Sequence, residues 1–440
     1  MRAWFRSVGV TGPGRRLVVA AALTVVPPVA AQEFETPPTL RAADVLPREA
    51  LKGPHHEVAD EVASDGVGLV FSIRSTFGTF VAPSRELAEL RIAEVGAIAQ
   101  LKGLGRGEMF ASGMVDSVKR KAETLQNVVE DPEGTVHGMG RGLKGLFDRG
   151  RQATENAGDL VQGGDGAGGG APTLDTAVNA VDEVLGVNAA RRKIARSVGA
   201  DPYSTNVVLQ KELTRLADAL VAGGMTADFA VGQVPGASVV TRAAGLAWDL
   251  PPEDLRTRNE KALEAMGCDA GTVEALLDNR AYAPTLATEL VEAVQDLGEV
   301  EGRPVLVALA AGARNEAEAR FYRSSVRLLA AAQAEGRTLR RARGYGRALA
   351  ALTGDGTLLV AVAVDLLTWQ EGVREAVETP VPEARARSLW LTGHLSERTG
   401  KELRRRGFDV REGMAPHQRV SGHPIQHGTW AGDHVMARRS

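Results

Sequence analysis

Between Leu69 and Ala82 the chain reads Leu-Val-Phe-Ser-Ile-Arg-Ser-Thr-Phe-Gly-Thr-Phe-Val-Ala. Apolar and polar side chains alternate over its first half, the two-residue period of a half-buried strand. Gly78 interrupts the β-branched and aromatic run, which predicts a hairpin or a bulge at Phe77–Gly78. Pro83 closes the strand, Ser84 is placed to cap a helix, and Glu86 falls in its first turn beside the positive end of the dipole. From Leu87 onward, Leu90, Ile92, Val95, Ile98 and Leu101 fill more than one narrow stripe, so this helix should bury two sides.

Helical spacing returns at Phe110, Met114, Val118, Ala122, Leu125 and Val129, with charged residues opposite, until Asp131-Pro132 stops it. Leu174–Val187 and Val207–Val221 are periodic, and Pro251-Pro252-Glu253-Asp254 is a helix entry with proline in the first turn. Shorter helices follow through Leu263, Val273–Leu277 and Leu286–Leu297, with turns at Gly267 and Asn279. Glu289, Glu292, Asp296, Glu299 and Glu301 read as a solvated face of the last one. Pro304-Val-Leu-Val-Ala-Leu-Ala suits a strand or a buried helix turn, and Glu316–Ala332 is helical with Phe321, Val326, Leu328 and Leu329 as core. Thr357–Val364, Ser388–Thr392 and Gly407–Arg411 are strand-like and alternate with helices at Thr368–Val377 and Ser396–Leu403. That order predicts a small parallel sheet.

The first residues change this picture. Arg2, Arg6, Arg15 and Arg16 precede an apolar run from Leu17, and Val29-Ala30-Ala31 offers small residues ahead of Gln32. This is the layout of a secretory signal peptide, with a loose twin-arginine match at Arg15-Arg16. The run is too short to span a bilayer comfortably, and the mature chain is expected to carry no transmembrane span. Cys268 is the only cysteine, so no intramolecular disulfide can form, and a buried small side chain is expected there. A net charge of −3 gives the whole chain no electrostatic footprint for nucleic acid.

Several clusters invite a chemical reading. Gly140, Gly142 and Gly145 fit G-x-G-x-x-G, but a helix precedes them where the dinucleotide fingerprint needs a strand. Arg141, Lys144, Arg149 and Arg151, with Val136, Met139, Leu143, Leu146 and Phe147, could instead rest on an anionic surface; a Gly-rich loop tucked onto the domain is the plainer reading. His56 and Asp60 would share a helix face at ligand spacing, against the simpler expectation of a solvated helix start. Arg337, Arg340, Arg341, Arg343 and Arg347 surround Tyr345 and read as a solvated helix end or a contact for an anionic partner. In the tail, His417, His423, His427 and His434 suggest metal binding, with His423, His427 and His434 as candidate ligands, although Gly422, Pro424 and Gly428 oppose a helix. Ligands of parallel sheets sit outside the carboxyl ends of the strands. That rule selects Asp365 and Trp369 after one strand, and Thr392, Gly393 and His394 after the next, with Asp365 and His394 as a candidate acid–base pair. Nucleophile elbows, S-x-x-K, H-E-x-x-H, C-x-x-C and phosphate loops are all missing from the sequence.

The sequence therefore predicts a mainly α fold with minor β, an α+β chain. Its segments are a signal peptide over 1–31, a hairpin-plus-helices domain over 32–160 and a Gly-rich linker over 161–172. A helical domain over 173–302, a small α/β unit over 303–413 and a flexible His-containing tail over 414–440 complete it. The leading functional reading is an exported binding or scaffolding protein of the cell envelope, periplasmic or extracellular, with no cofactor. Its partners would be an envelope protein or an anionic lipid surface, not nucleic acid. The runner-up is a hydrolase or other enzyme-like site at Asp365 and His394, and the third is metal handling by the tail.

Overall fold

The computed structural model describes residues 34–104, 174–222 and 242–416. From Glu35 on, the described residues form one compact unit of mixed helix and sheet. The chain enters through β1 (Thr39–Arg41), the single turns α1 (Ala42–Val45) and α2 (Arg48–Leu51), then β2 (His56–Val58) and β3 (Glu61–Ser64). β4 (Leu69–Ser75) and β5 (Gly78–Ala82) form the hairpin expected from the alternation, and Gly78 supplies the positive φ of 129° that the turn requires. β4 pairs with β2 and β3 along its other edge, and β1 closes against β3. His55 and His56 therefore lie at the start of a strand and not a helix, and the His56 ring Nε2 lies 3.1 Å from the Ala50 carbonyl.

Helix α3 (Arg85–Leu104) follows, capped by the Ser84 hydroxyl, which accepts the Leu87 N–H at 3.1 Å. It buries two sides, as its pattern implies. Leu87 and Ala88 join Phe71 and Ile73 over the first sheet, whereas Ala97, Ile98 and Leu101 join Ile194, Leu209, Leu213 and Leu216. The latter belong to α4 (Leu174–Ser197) and α5 (Val207–Ala222).

Next come α6 (Arg242–Asp249), α7 (Pro252–Ala265), α8 (Ala270–Leu277), α9 (Pro284–Gln295), α10 (Arg303–Ala311) and α11 (Glu316–Ala334). The apolar stretch after Pro304 is thus a helix. Proline at its first turn is tolerated, and Leu306, Val307 and Ala310 recur at helical spacing into the core. Cys268 is buried in that core. Glu289 departs from the solvated face assigned to it: it is 8% exposed and lies against arginines of α11.

The last third supplies a five-stranded mixed sheet. β6 (Leu339–Tyr345), β7 (Ala348–Thr353) and β8 (Thr357–Val362) form an antiparallel meander. The chain then passes β9 (Leu366–Leu367), α12 (Glu371–Glu378), β10 (Ala386–Leu391), β11 (His394–Leu395), α13 (Glu397–Arg405) and β12 (Phe408–Arg411). β8, β10 and β12 run parallel, in the order β12-β10-β8-β7-β6, and β9 and β11 add a two-residue parallel ladder. Leu349, Ala351, Leu359 and Ala361 face α11, while Ala350, Leu352, Leu358 and Val360 face α12 and α13. Burial on both faces accounts for the unbroken apolar run in β8. The arginines around Tyr345 lie on and beside strand β6, not at a helix end. Four of the five meet acids of the same chain: Arg341 with Glu301, Arg343 with Glu383, Arg347 with Glu318 and Arg337 with Asp355.

Candidate functional site at the strand ends

The carboxyl ends of β8 and β10 are where a parallel sheet would hold a ligand. In this protein the chain's own first segment lies there. Asp365 Oδ2 accepts two backbone N–H groups, from Leu69 at 3.1 Å and from Arg85 at 3.0 Å. The first begins β4 and the second begins α3, so one carboxylate ties both elements to the end of β8. Burial pushes its pKa up to about 6, against the opposing effect of the two donors and the Arg85 charge. Around it, Asp365 N–H donates to the Val67 carbonyl, and Thr368 N–H donates to the Gly66 carbonyl at 2.9 Å.

His394 reaches the neighbouring strand end, and its N–H donates to the Asp365 carbonyl at 3.0 Å. The backbones of the two residues thus lie side by side at neighbouring strand ends. The pairing of their side chains needs correction. The acid beside the imidazole is Glu412, with Oε2 3.4 Å from Nδ1. The His394 contact, and then the Leu395 N–H at 2.9 Å, hold the Glu412 pKa down. Thr392 and Gly393 are fixed by sterics and main chain. Thr392 Oγ1 donates to the Val364 carbonyl, and a Cβ on Gly393 would fall 2.0 Å from the Asp365 carbonyl oxygen. Only glycine fits that crossing.

A second carboxylate closes the same edge. Glu35 Oε2 accepts from Trp369 N–H at 2.6 Å, Ser396 Oγ at 2.5 Å and Thr399 Oγ1 at 3.3 Å. Its N–H returns to the Trp369 carbonyl at 2.9 Å, and Gln370 Nε2 donates to its carbonyl at 2.7 Å. Ser396 also caps α13 by accepting the Thr399 N–H, so Glu35 sits over the N-terminal end of that helix.

The third carboxylate is Glu86. Its oxygens accept from Arg320 Nη1 at 3.0 Å, from Arg323 Nη2 and from Ser324 Oγ at 3.1 Å. Burial alone would raise its pKa, but the Arg323 and Arg320 charges bring it down to about 2. The ion-pair chain continues through Glu316, which takes Arg320 on one oxygen and Arg91 and Thr205 on the other. Arg91 in turn meets Glu94 at 2.7 Å, and Glu94 also accepts from Asn206 and Ser204.

No family model, no curated protein and no solved structure matches this chain.

The strand-end geometry is therefore the basis for any functional reading. Sequence reasoning missed Glu35, Glu412 and the role of Arg320, Arg323 and Arg327. The available signal was three arginines, three and four residues apart, on a helix whose remaining positions are mostly apolar. Such a stripe requires partners. Arg141, Lys144, Arg149 and Arg151, the glycine fingerprint, the Gly-rich linker and His417, His423, His427 and His434 lie outside the described residues. Among the described residues no group of three or more His, Cys, Asp or Glu is placed to hold a metal ion. No helix among them is long and apolar enough to cross a membrane.

Proposed function

We propose that the protein is an exported binding or scaffolding component of the cell envelope, its N-terminal sheet and C-terminal α/β unit acting as one rigid body. The observation that carries this reading is the use of the Asp365 carboxylate. Both hydrogen bonds of its Oδ2 go to main-chain amides, the work of a structural brace and not of a general base. Export rests on the arginine-flanked apolar run before Gln32, and the partner would be an envelope protein or an anionic lipid surface. Asp365→Asn and His394→Ala, introduced singly into a deletion background, should both restore the deletion phenotype fully. Crosslinking and pull-down from intact cells should then return the partner.

A second reading has one observation in its favour, the His394–Glu412 contact of 3.4 Å at the end of β10. There His394 would act as a general base oriented by Glu412. Loss of rescue by both His394→Ala and Glu412→Gln, with unchanged thermal stability, would replace the binding reading with this one.

A further inference from the structure

Arg320, Arg323, Ser324 and Arg327 recur at three- and four-residue spacing on one side of α11, and the two ends of this ridge differ. Towards Glu316 the donors are matched: Arg320 Nε and Nη2 both reach Glu316 Oε1, at 3.0 and 2.7 Å. Towards Arg327 donors are in surplus. Arg323 and Arg327 are 6% and 7% exposed, yet Arg323 Nε and Arg327 Nη1 meet no hydrogen-bond acceptor. Glu289 pairs with both guanidinium groups at longer range, 3.6 Å from Arg323 Nε and 3.5 Å from Arg327 Nη2. Buried donors in native proteins are almost always matched, so this surplus calls for an explanation. Desolvation and then the Arg323 charge push the Arg327 pKa down, against the raising effect of Glu289 and Glu86.

The side chain covering this ridge is Glu86, which is 40% exposed. It fills the place of an anion with two oxygens and one charge. Helix α3 does not need it there, because its first turn is held by Ser84 and Asp365. A rotation of Glu86 into solvent therefore uncovers two guanidinium groups and a hydroxyl while leaving the helix capped. We propose that the Arg320, Arg323 and Ser324 face of α11 is a receptor for a phosphate-type oxyanion, in which the Glu86 carboxylate is the resident stand-in. A phosphate group brings more acceptor oxygens and more charge than a carboxylate, and guanidinium forks match its geometry. The inference stands on residues other than those behind the binding reading above.

The test is chemical rescue in the full-length protein. Glu86→Ala should lower the Tm. Inorganic phosphate, titrated at constant ionic strength, should restore it along a saturable curve, with half-effect at a concentration at least tenfold below that of acetate. Arg323→Gln added to Glu86→Ala should abolish the response. Glycerol 1-phosphate run in parallel assigns the source. A matching response indicates a phosphate ester, and a response to inorganic phosphate alone indicates the free ion; either supports the receptor. Equal effects of phosphate and acetate, or a response that survives Arg323→Gln, would overturn it. Should Glu86→Ala not fold, Glu86→Gln keeps the shape without the charge. Calorimetry should then show phosphate binding at least tenfold tighter than to the unmodified protein, and absence of binding heat would equally sink the proposal.

Discussion

Asp201 shows what a half-buried carboxylate costs in this protein. It accepts from Thr285 Oγ1 and from the Tyr203 N–H, both at 2.8 Å, yet burial pushes its pKa up to about 7. A raised carboxyl pKa means that the folded state holds the proton more tightly than the unfolded chain. Its stabilising contribution is complete below the unfolded value near 3.9 and is lost as pH rises through 7. Asp201→Asn keeps the accepting oxygen and removes the charge. It should match the parent in urea melts at pH 4 and exceed it by about 1–2 kcal/mol at pH 8. Glu86 has the opposite sign. Its pKa is lowered to about 2, so its contribution is present above pH 4.5 and lost as pH falls through 2. Glu86→Gln should cost about 2 kcal/mol at pH 7, less than a fully buried pair because the side chain is partly solvated. That cost should shrink in acid melts. Neither role was legible in the sequence. Glu86 looked like a helix-dipole residue, and its Arg320 partner is 234 positions away.

Local pattern was a reliable guide to most elements. The alternation before Ser75, the glycine at 78 and the serine at 84 gave the hairpin and the cap because each acts through neighbours a few residues off. Two stripes on α3 likewise reported its two cores. Ser84→Ala should cost about 1 kcal/mol and Ile98→Ala about 3 kcal/mol, read from denaturant midpoints at constant slope. Because α3 belongs to both cores, Ile98→Ala should leave a single unfolding transition; two separated transitions would show that the cores melt independently. Errors arose where short-range and long-range demands conflict. The arginines flanking Tyr345 read as a solvated helix end or a contact for an anionic partner, but Ala342 and Tyr345 face inward from a strand, not a helix end, and Arg341 and Arg343 find acids on other segments of the chain. The acids of α9 looked like one solvated face, and only the position of α11 takes Glu289 inside.

For the whole molecule, residues near the start of the chain are completed by residues near its end. The export reading predicts a mature protein beginning near Gln32, which intact mass of the natively expressed protein will check. The strand-end candidates were legible because parallel-sheet topology follows from element order. That the site is filled by the chain itself was not, since no local signal ties Glu35 to Ser396. This closure has a kinetic side. The amides of Leu69 and Arg85 wait for an acceptor 296 and 280 residues downstream, and Trp369 waits for one 334 residues upstream. Closing such loops comes late, because the entropy is spent before the contact is gained. A growing chain that has not yet reached Asp365 thus has a first sheet and helix but nothing to fasten them. It locks only once the final third has been made.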